Sequence, residues 1–349
     1  MKSTIHEYPK NNFNTISKKT ILLITLLIST MSIAQCYETL QAGGGHIVGR
    51  KADGTLWGWG YCNNGHLCNT LQNSNLPIQL CNDSDWNKVF LGSYTTFGIK
   101  NNGTLWSVGN NSYGMLGINS TVNNIYTFSQ VGTATDWVKI SSCAEFTLGL
   151  KSNGTLWAWG LNNKAQMGNG TGPILLAPQQ IGTATDWAEI EASDLGTGLA
   201  IKTNGTLWAW GMNNTGITGA PSNVGIVLNP IQVGSATDWA KIESGFGHVV
   251  ALKTDNTLWS WGAGGQGQTA DGLPAASFRN TPLQIGTDTW KAISVGSQSS
   301  FAVKTNGTLW GWGFNENGEL GIGNNVNQYS QVQIGTANDW ASVHTTSVG

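Results

Sequence analysis

Six lysines are the chemically active side chains that recur most regularly in this sequence. Because they are 49 to 51 residues apart, a symmetric fold could bring their ammonium groups around one axis, where they would bind an anionic ligand. Each lysine also comes just before a predicted turn, where a lysine at the end of a strand is ordinarily solvated. We favour the solvated interpretation. The six are Lys51, Lys100, Lys151, Lys202, Lys253 and Lys304.

The histidines are the next residues to weigh, because imidazole is a common metal ligand. His46 and His248 each lie five residues before one of these lysines. Their shared place in the repeat favours packing or local hydrogen bonding over metal binding. His66 has no carboxylate or histidine at ligand spacing. We therefore predict no metal site and no cofactor.

A catalytic site would require paired carboxylates, or a nucleophile close to a histidine. The polar residues that break the repeat are Glu145, Asp194, Asp271 and Arg279. They come from different repeats and share no motif, so we interpret them as variation in the loops. No catalytic residue is predicted, and a hydrolase or lyase on one face of the fold is the alternative.

The sequence contains five cysteines, which would be able to form disulfides in an exported chain. Cys62 and Cys68 flank one short loop. We predict a bridge between them, with free thiols as the alternative. The Cys-x-x-Cys spacing is absent, which disfavours a zinc site.

Tryptophan reveals the framework that must position these residues. All 17 tryptophans fall into two series that share a period of 49 to 52 residues, which is typical of a repeat fold. We predict that they pack between repeats as structural residues. The hairpin series is Trp57, Trp59, Trp106, Trp157, Trp159, Trp208, Trp210, Trp259, Trp261, Trp310 and Trp312. The second series, mostly Asp-Trp, is Trp86, Trp137, Trp187, Trp239, Trp290 and Trp340.

A tight hairpin is predicted in every repeat. In residues 136–181 the strands FTLGLK and TLWAWG are separated by Asn153-Gly154, which tolerates the positive φ angles of a two-residue turn. Asp255-Asn256 replaces glycine with the next most tolerant residue in one copy. The other copies have Asp53-Gly54, Asn102-Gly103, Asn204-Gly205 and Asn306-Gly307.

Two further strands are predicted in the repeat, the Asp-Trp segment and a Pro-x-Gln segment, which four copies show at Pro77, Pro178, Pro230 and Pro282. Proline cannot donate to a sheet ladder, so the second of these forms or starts the outer edge. A four-stranded blade can bury both of its faces only by packing against the blades on either side. The sequence therefore predicts an all-β fold, a β-propeller of four-stranded antiparallel blades. It occupies residues 35–349, with six complete repeats and the start of a seventh. The repeats start near 37, 86, 137, 187, 239 and 290, and the partial repeat at 339.

Residues 1–34 predict a signal peptide. Lys18 and Lys19 precede the apolar run 21–30, and small residues favour cleavage after Ala34. The run is short for a bilayer span, which disfavours a membrane anchor. A lipoprotein is disfavoured because Gln35 precedes the cysteine. We expect a soluble protein that is secreted or at the cell surface, or alternatively periplasmic, with no membrane insertion after cleavage.

The charge balance disfavours nucleic acid as a partner. Residues 1–34 hold four of the 17 basic residues and one of the 19 acidic residues, so the rest of the chain has a net charge of about −5. Binding to a phosphate backbone needs a concentrated basic surface instead.

The repeat resembles a known family. Apolar-x-apolar-Lys is followed by x-Asn-Gly-Thr-Leu-Trp-x-Trp-Gly, by asparagine-rich residues and by Leu-Gly-x-Gly. These motifs resemble regulator of chromosome condensation repeats over residues 37–349, in the form typical of exported bacterial members. Kelch repeats have a similar period, but their Gly-Gly doublet does not recur here.

The resemblance implies the fold more strongly than the function, because one fold hosts many activities. The namesake of the family acts in nucleotide exchange on a small GTPase, and the predicted signal peptide disfavours such a regulator here. We predict a non-enzymatic exported scaffold that binds an extracellular protein or glycan through its variable loops. One such loop is residues 161–177, and we expect that its deletion spares folding.

The last repeat raises a separate expectation. Asp339-Trp340 opens another copy, and the sequence reaches Gly349 before its hairpin. Because the resembled family usually has seven blades, we expect an incomplete seventh blade and an exposed apolar blade face.

Overall fold

The computed structural model describes residues 37–67, 73–273 and 278–345. The predicted signal peptide and Cys68 lie outside these ranges. Within them the regular structure consists of β-strands, and no helix of the length and apolarity needed to cross a bilayer is found there.

The strands form successive four-stranded antiparallel blades. Blade 1 contains β1 (Tyr37–Ala42), β2 (His46–Lys51), β3 (Leu56–Gly60) and β4 (Ser74–Gln79). Blade 2 contains β5 (Trp86–Leu91), β6 (Thr95–Lys100), β7 (Leu105–Asn110) and β8 (Asn124–Gln130). Blade 3 contains β9 (Trp137–Ser142), β10 (Phe146–Lys151), β11 (Leu156–Gly160) and β12 (Leu175–Gln180).

The second half of the chain repeats this order. Blade 4 contains β13 (Trp187–Ser193), β14 (Thr197–Lys202), β15 (Leu207–Met212) and β16 (Ile226–Gln232). Blade 5 contains β17 (Trp239–Ser244), β18 (His248–Lys253), β19 (Thr257–Ala263) and the first part of β20 (Phe278–Val295). Blade 6 contains the last part of β20, β21 (Ser299–Lys304), β22 (Leu309–Gly313) and β23 (Gln328–Gln333).

The strand β20 is shared because its connection is short. From Gln284 to Trp290 the chain advances six residues, whereas the equivalent step from Gln180 to Trp187 takes seven. The shorter link stays extended, so the outer strand of blade 5 continues directly into the inner strand of blade 6.

The Asn-Gly-Thr-x-Trp segment of each hairpin is one hydrogen-bonded unit. In blade 3, Oδ1 of Asn153 accepts hydrogen bonds from the backbone N–H of Thr155 at 3.1 Å and from its hydroxyl at 2.7 Å. The same hydroxyl oxygen accepts a hydrogen bond from Nε1 of Trp157 at 2.9 Å. Gly154 has a φ of +76°, and a Cβ there would lie 2.1 Å from the carbonyl oxygen of Thr185. The predicted turn at Gly154 therefore also packs closely against the link between blades 3 and 4.

The core lies between blades, and in blades 3 to 6 the second tryptophan of the pair anchors it. Trp159 and Trp210 are fully buried, whereas Trp157 keeps part of its surface exposed. Each buried ring donates a hydrogen bond from Nε1 to a carbonyl oxygen of the preceding blade, 44 residues earlier in the chain. The pairs are Trp159 with Met115, Trp210 with Gln166, Trp261 with Ile217 and Trp312 with Gln268, at 2.7 to 2.8 Å.

Residues 340–345 take the place of a seventh inner strand. The backbone N–H of Trp340 donates to the carbonyl oxygen of Gly307 at 3.1 Å, as that of Trp187 does to Gly154. Trp340 is nevertheless 42% exposed, whereas the other five tryptophans of its series are 0 to 6% exposed. Within the described residues no following blade covers its ring, so the predicted packing between repeats is not found for Trp340.

Candidate functional site

The blades present two different faces. Because the strands alternate in direction, the connections from the first to the second strand and from the third to the fourth strand lie at one end, here called the loop face. The short hairpin turns and the links between blades lie at the other end, the turn face. The described loop-face segments are 43–45, 61–67, 92–94, 111–123, 143–145, 161–174, 194–196, 213–225, 245–247, 264–273, 296–298 and 314–327.

A buried asparagine fixes each of four long loops. In blade 3, Nδ2 of Asn162 donates to the carbonyl oxygen of Gly170 at 3.1 Å, and its Oδ1 accepts from the backbone N–H of Met167 at 3.0 Å. A side-chain amide can satisfy several backbone groups at once, which holds an irregular loop in one shape. The equivalent residues are Asn111, Asn213 and Asn315. The sequence showed only that this region is rich in asparagine.

This loop framework corrects the expectation that deleting residues 161–177 spares folding. Met167 is buried in the core between blades 3 and 4, and the carbonyl oxygen of Gln166 accepts the hydrogen bond of Trp210. In addition, β12 already begins at Leu175. Only the exposed tip, including Thr171, Pro173 and Ile174, is free of such packing.

Large apolar side chains are exposed mainly on the loop face and on the outer strands. On the loop face they belong to five of the six blades. Among the described residues, the turn face exposes only Trp340 in this way. Exposed apolar surface concentrated in one region is typical of a binding surface. The loop-face residues are Tyr61, Tyr113, Val122, Ile174, Phe246, Leu273 and Val326.

The polar residues that break the repeat are partnered on the loop face. Glu145 accepts from Nζ of Lys164 at 2.8 Å, an ion pair within blade 3. Arg279 donates from Nε to Oδ2 of Asp271 at 2.7 Å. The two ion pairs therefore hold loop residues in place. The variation at Glu145, Asp271 and Arg279 that was noted in the sequence has a structural role.

Asp194 joins three blades at the mouth of the central channel. Its Oδ1 accepts from the hydroxyl of Ser93 in blade 2 at 2.9 Å and from the backbone N–H of Ala144 in blade 3 at 3.2 Å. Burial raises the pKa of this carboxyl group above its usual value, although both hydrogen bonds oppose the shift.

The recurring lysines are not solvated, contrary to the interpretation from sequence, and they lie on the turn face rather than in the channel. Lys202 pairs with Asp186 at 3.0 Å, and its Nζ lies 4.9 Å and 5.0 Å from the ring centroids of Trp187 and Trp208. Lys100, Lys151, Lys202, Lys253 and Lys304 are 12 to 17% exposed. A cation between aromatic faces and beside a carboxylate is stabilised without full hydration. In blade 1, Nζ of Lys51 lies 3.5 Å from the ring centroid of Trp57.

The central channel forms a cavity with a volume of about 350 Å³. It is lined by the inner strands of all six blades, β1, β5, β9, β13, β17 and β20, together with residues 342–345. Lysines here cross between blades. Lys88 donates to the carbonyl oxygen of Val138 and Lys241 to that of Ile293, both at 3.1 Å. Lys139 forms an ion pair with Glu189.

Glu191 is the central carboxylate of this channel, and sequence reasoning missed it. It accepts from the hydroxyl of Ser141 at 3.1 Å and from both the backbone N–H and the hydroxyl of Ser244 at 3.2 Å. Burial, followed by the nearby charge of Glu243, raises the pKa of Glu191 to about 7, against the opposing effect of Lys139. One feature of the sequence could have placed Glu191 in the channel. It lies four residues after Trp187, the tryptophan of the Asp-Trp motif, and alternate residues of an inner strand face the propeller axis.

The two equivalent histidines bridge blades. Nε2 of His46 lies 3.2 Å from Oγ1 of Thr96, and Nε2 of His248 lies 2.9 Å from Oγ of Ser300. Burial lowers the pKa of His248 to about 3 and that of His46 well below 6.5. The ring of His66 lies 4.3 Å from that of His46, a contact that ligand spacing did not predict.

The described residues contain no group of three or more metal-ligating side chains placed to hold an ion. Cys62 is buried in blade 1. Because Cys68 lies outside the described residues, the Cys62–Cys68 bridge stays a prediction. Cys81 accepts a hydrogen bond from Nε1 of Trp86 at 3.3 Å.

Comparison with known proteins confirms the resemblance read from the motifs. A model of the regulator of chromosome condensation (RCC1) repeat matches residues 86–114, 137–166, 239–268 and 290–319. A second model of the same repeat matches residues 306–344.

Relatives of this kind share most of the propeller. The mitochondrial RCC1 domain-containing protein RUG3 of Arabidopsis thaliana is 29% identical over 298 residues, which cover 78% of this chain and 64% of RUG3. This chain therefore spans less than two thirds of the length of RUG3. The ultraviolet-B receptor UVR8 of the same plant is 24% identical over 302 residues, or 83% of this chain and 68% of UVR8.

The fold also matches a solved structure. Prp20p from Saccharomyces cerevisiae superposes with a TM-score of 0.76 at 20% identity, over 85% of this chain and 76% of Prp20p. At this identity the match shows the propeller fold alone.

Proposed function

We propose that this chain, whose repeats resemble those of the regulator of chromosome condensation family, is an exported non-enzymatic scaffold that binds a partner protein through its loop face. The observation that carries the proposal is the set of seven exposed apolar side chains on that face. Tyrosine and phenylalanine among them are residue types enriched at protein interfaces.

The loops are suited to recognition because they are held rigidly. Asn162 and its equivalents hydrogen-bond the loops from within, while the tips stay exposed. Preorganised loops lose little conformational entropy when a partner binds. Exposed tips that differ from blade to blade on a constant framework give the face its specificity.

The partner is proposed to be a protein rather than a glycan. Prp20p binds Gsp1p and histones, so a propeller of this fold can use its surface for protein partners. The cation Lys164 on the loop face and the cation Arg279 near the start of β20 are each paired with a carboxylate. Apolar contact is therefore expected to dominate the interface, with paired charges at its rim.

Export is proposed from the sequence of residues 1–34, with the mature chain beginning at Gln35. A non-enzymatic role is supported by the partners of the polar loop residues. Glu145, Asp194 and Asp271 each accept hydrogen bonds or ion pairs that hold the propeller together. We therefore interpret these carboxylates as structural groups that hold neighbouring segments in place, not as catalytic groups.

Photo-crosslinking in the source cells tests the proposal. A benzophenone side chain is placed at Tyr113 or Phe246 on the loop face, at Leu228 on an outer strand, or at Ser152 on the turn face. We expect a discrete protein adduct from the two loop-face positions, because their exposed aromatic rings would contact the partner. The same exported sample is sequenced from its N-terminus, where Gln35 is expected first.

The turn-face variant is the matched control, since Ser152 is also exposed but lies opposite the loops. An adduct of equal yield from Ser152, or no protein adduct from any position, contradicts binding through the loop face. An N-terminus at Met1 contradicts export by signal cleavage, and it does so independently of the crosslinking result.

A further inference from the structure

The loops of blades 5 and 6 form one continuous part of the loop face, here called the blade 5–6 sector. Near the channel, the backbone N–H of Phe246 in blade 5 donates to the carbonyl oxygen of Ser297 in blade 6 at 2.8 Å. Further from the axis, the backbone N–H of Gly272 donates to the carbonyl oxygen of Tyr329, also at 2.8 Å. The exposed apolar side chains of this sector are Phe246, Leu273 and Val326, which are 47%, 48% and 63% exposed.

Two carboxylates lie in the same sector without a cation. Nδ2 of Asn327 in blade 6 donates to Oε1 of Gln266 in blade 5 at 2.8 Å and to Oε1 of Glu316 at 3.4 Å. The carboxylate of Glu319 accepts from the backbone N–H of Asn317 at 3.0 Å and from its Nδ2 at 2.7 Å. These donors are all neutral amides. Within the described ranges, neither Glu316 nor Glu319 forms an ion pair.

The sector has no cation of its own to neutralise them. Its segments 245–247, 264–273, 296–298 and 314–327 contain no lysine or arginine. Arg279, near the start of β20, is already paired with Asp271 at 2.7 Å. Blade 3 differs, because Lys164 neutralises Glu145 there. An exposed apolar surface beside unneutralised carboxylates is complementary to a surface that carries both apolar and cationic side chains.

We propose that the blade 5–6 sector binds a basic segment of the partner protein, whose arginine or lysine side chains pair with Glu316 and Glu319 while its apolar side chains cover Phe246. This inference rests on the proposed function, since it names the chemistry of the partner at the same face. Arginine suits the site because its guanidinium group pairs with carboxylates and stacks on aromatic rings. A second copy of this chain does not fit, because residues 35–349 have a net charge of about −5.

Two synthetic peptides test the chemistry directly. One alternates arginine and tryptophan (RWRWR), and the other has citrulline, which has nearly the same shape but no charge, in place of each arginine. Each is titrated into the nitrogen-15-labelled exported protein, and the amide shifts give the contact surface and the dissociation constant. We expect the arginine peptide to shift Phe246 and the amides of 314–327, and to bind about fivefold or more tightly than the citrulline peptide.

A pair of double variants separates the sector from general attraction to an acidic protein. Glu316→Gln with Glu319→Gln removes two charges from the sector, and glutamine can still accept from Asn317. This variant should bind the arginine peptide about fivefold or more weakly and the citrulline peptide as the wild type does. Asp53→Asn with Asp255→Asn is the matched control. It removes two charges from the turn face, at the place that asparagine takes in the other four hairpins, and should bind both peptides normally.

Three results would overturn the proposal: no measurable binding of the arginine peptide or equal binding of the two peptides, equal weakening by the two double variants, or arginine-dependent shifts centred on the turn face. With loop-face crosslinks still present, these results remove the basic partner and leave the loop face as the binding face. Absence of loop-face crosslinks overturns the proposed function itself, so the two failures are distinguishable.

Discussion

Replacing Trp210 by alanine is expected to lower the free energy of unfolding by about 3–5 kcal/mol. The indole ring is fully buried between blades 3 and 4. Its Nε1 donates to the carbonyl oxygen of Gln166 at 2.7 Å. Gly198 leaves room for the ring, since a Cβ there would lie 2.3 Å from its Cε2 atom. The variant opens a cavity and breaks a link between blades, which urea denaturation measures.

Trp340 provides a matched control within the same chain. It is 42% exposed, so Trp340→Ala is expected to cost only about 1 kcal/mol or less. Equal losses in the two variants, or a loss below about 1 kcal/mol for Trp210→Ala, would show that packing between blades is not the main source of stability.

Acidification is expected to destabilise the protein through His248. Burial lowers the folded-state pKa of this imidazole to about 3, so between pH 6.5 and 3 the unfolded chain binds a proton that the folded chain excludes. The contribution is fully present above pH 6.5 and falls by about 1.4 kcal/mol per pH unit below it. His46 acts in the same direction, because its pKa is also lowered.

The variant His248→Gln isolates this effect, since glutamine can still reach Ser300 but does not titrate. Between pH 7 and 4.5 its unfolding free energy should fall by about 2–3 kcal/mol less than that of the wild type. Ser300→Ala breaks the same hydrogen bond but keeps the imidazole, so it should retain the wild-type pH dependence. Equal pH dependence in His248→Gln and the wild type refutes the role of His248.

The blades themselves could be predicted because their determinants are local. Asn153, Gly154 and Thr155 form a turn from adjacent residues, and the alternation of Trp157 and Trp159 sets a strand face. Repetition of these local signals made the propeller recognisable. The packing of the blades follows from that repetition, since every copy has the same apolar faces and can bury them only against adjacent copies.

The central site was missed because its contacts join different copies. Glu191 contacts Ser141 and Ser244, which are 50 and 53 residues away along the chain. Each residue looks like ordinary variation within its own repeat. Comparing each residue with the one about a full repeat later would have placed these three side chains together at the channel.

The lysines were misread for a related reason. Lys202 ends a strand, where a lysine is usually expected to be solvated. The link between blades 3 and 4, however, brings Asp186 and Trp187 next to its ammonium group. Only the sheet register, which pairs Trp187 with Lys202, makes this contact evident.

The most direct test of the proposed function is the affinity of the crosslinked partner for the wild type and for the double variant Tyr113→Ala, Phe246→Ala. Both side chains are exposed, so the double variant should fold normally. Binding through the loop face predicts a dissociation constant at least about tenfold higher, as expected when interface aromatic residues are truncated. An affinity within about twofold of the wild type, together with weakened binding by Ser152→Asp on the turn face, would contradict it.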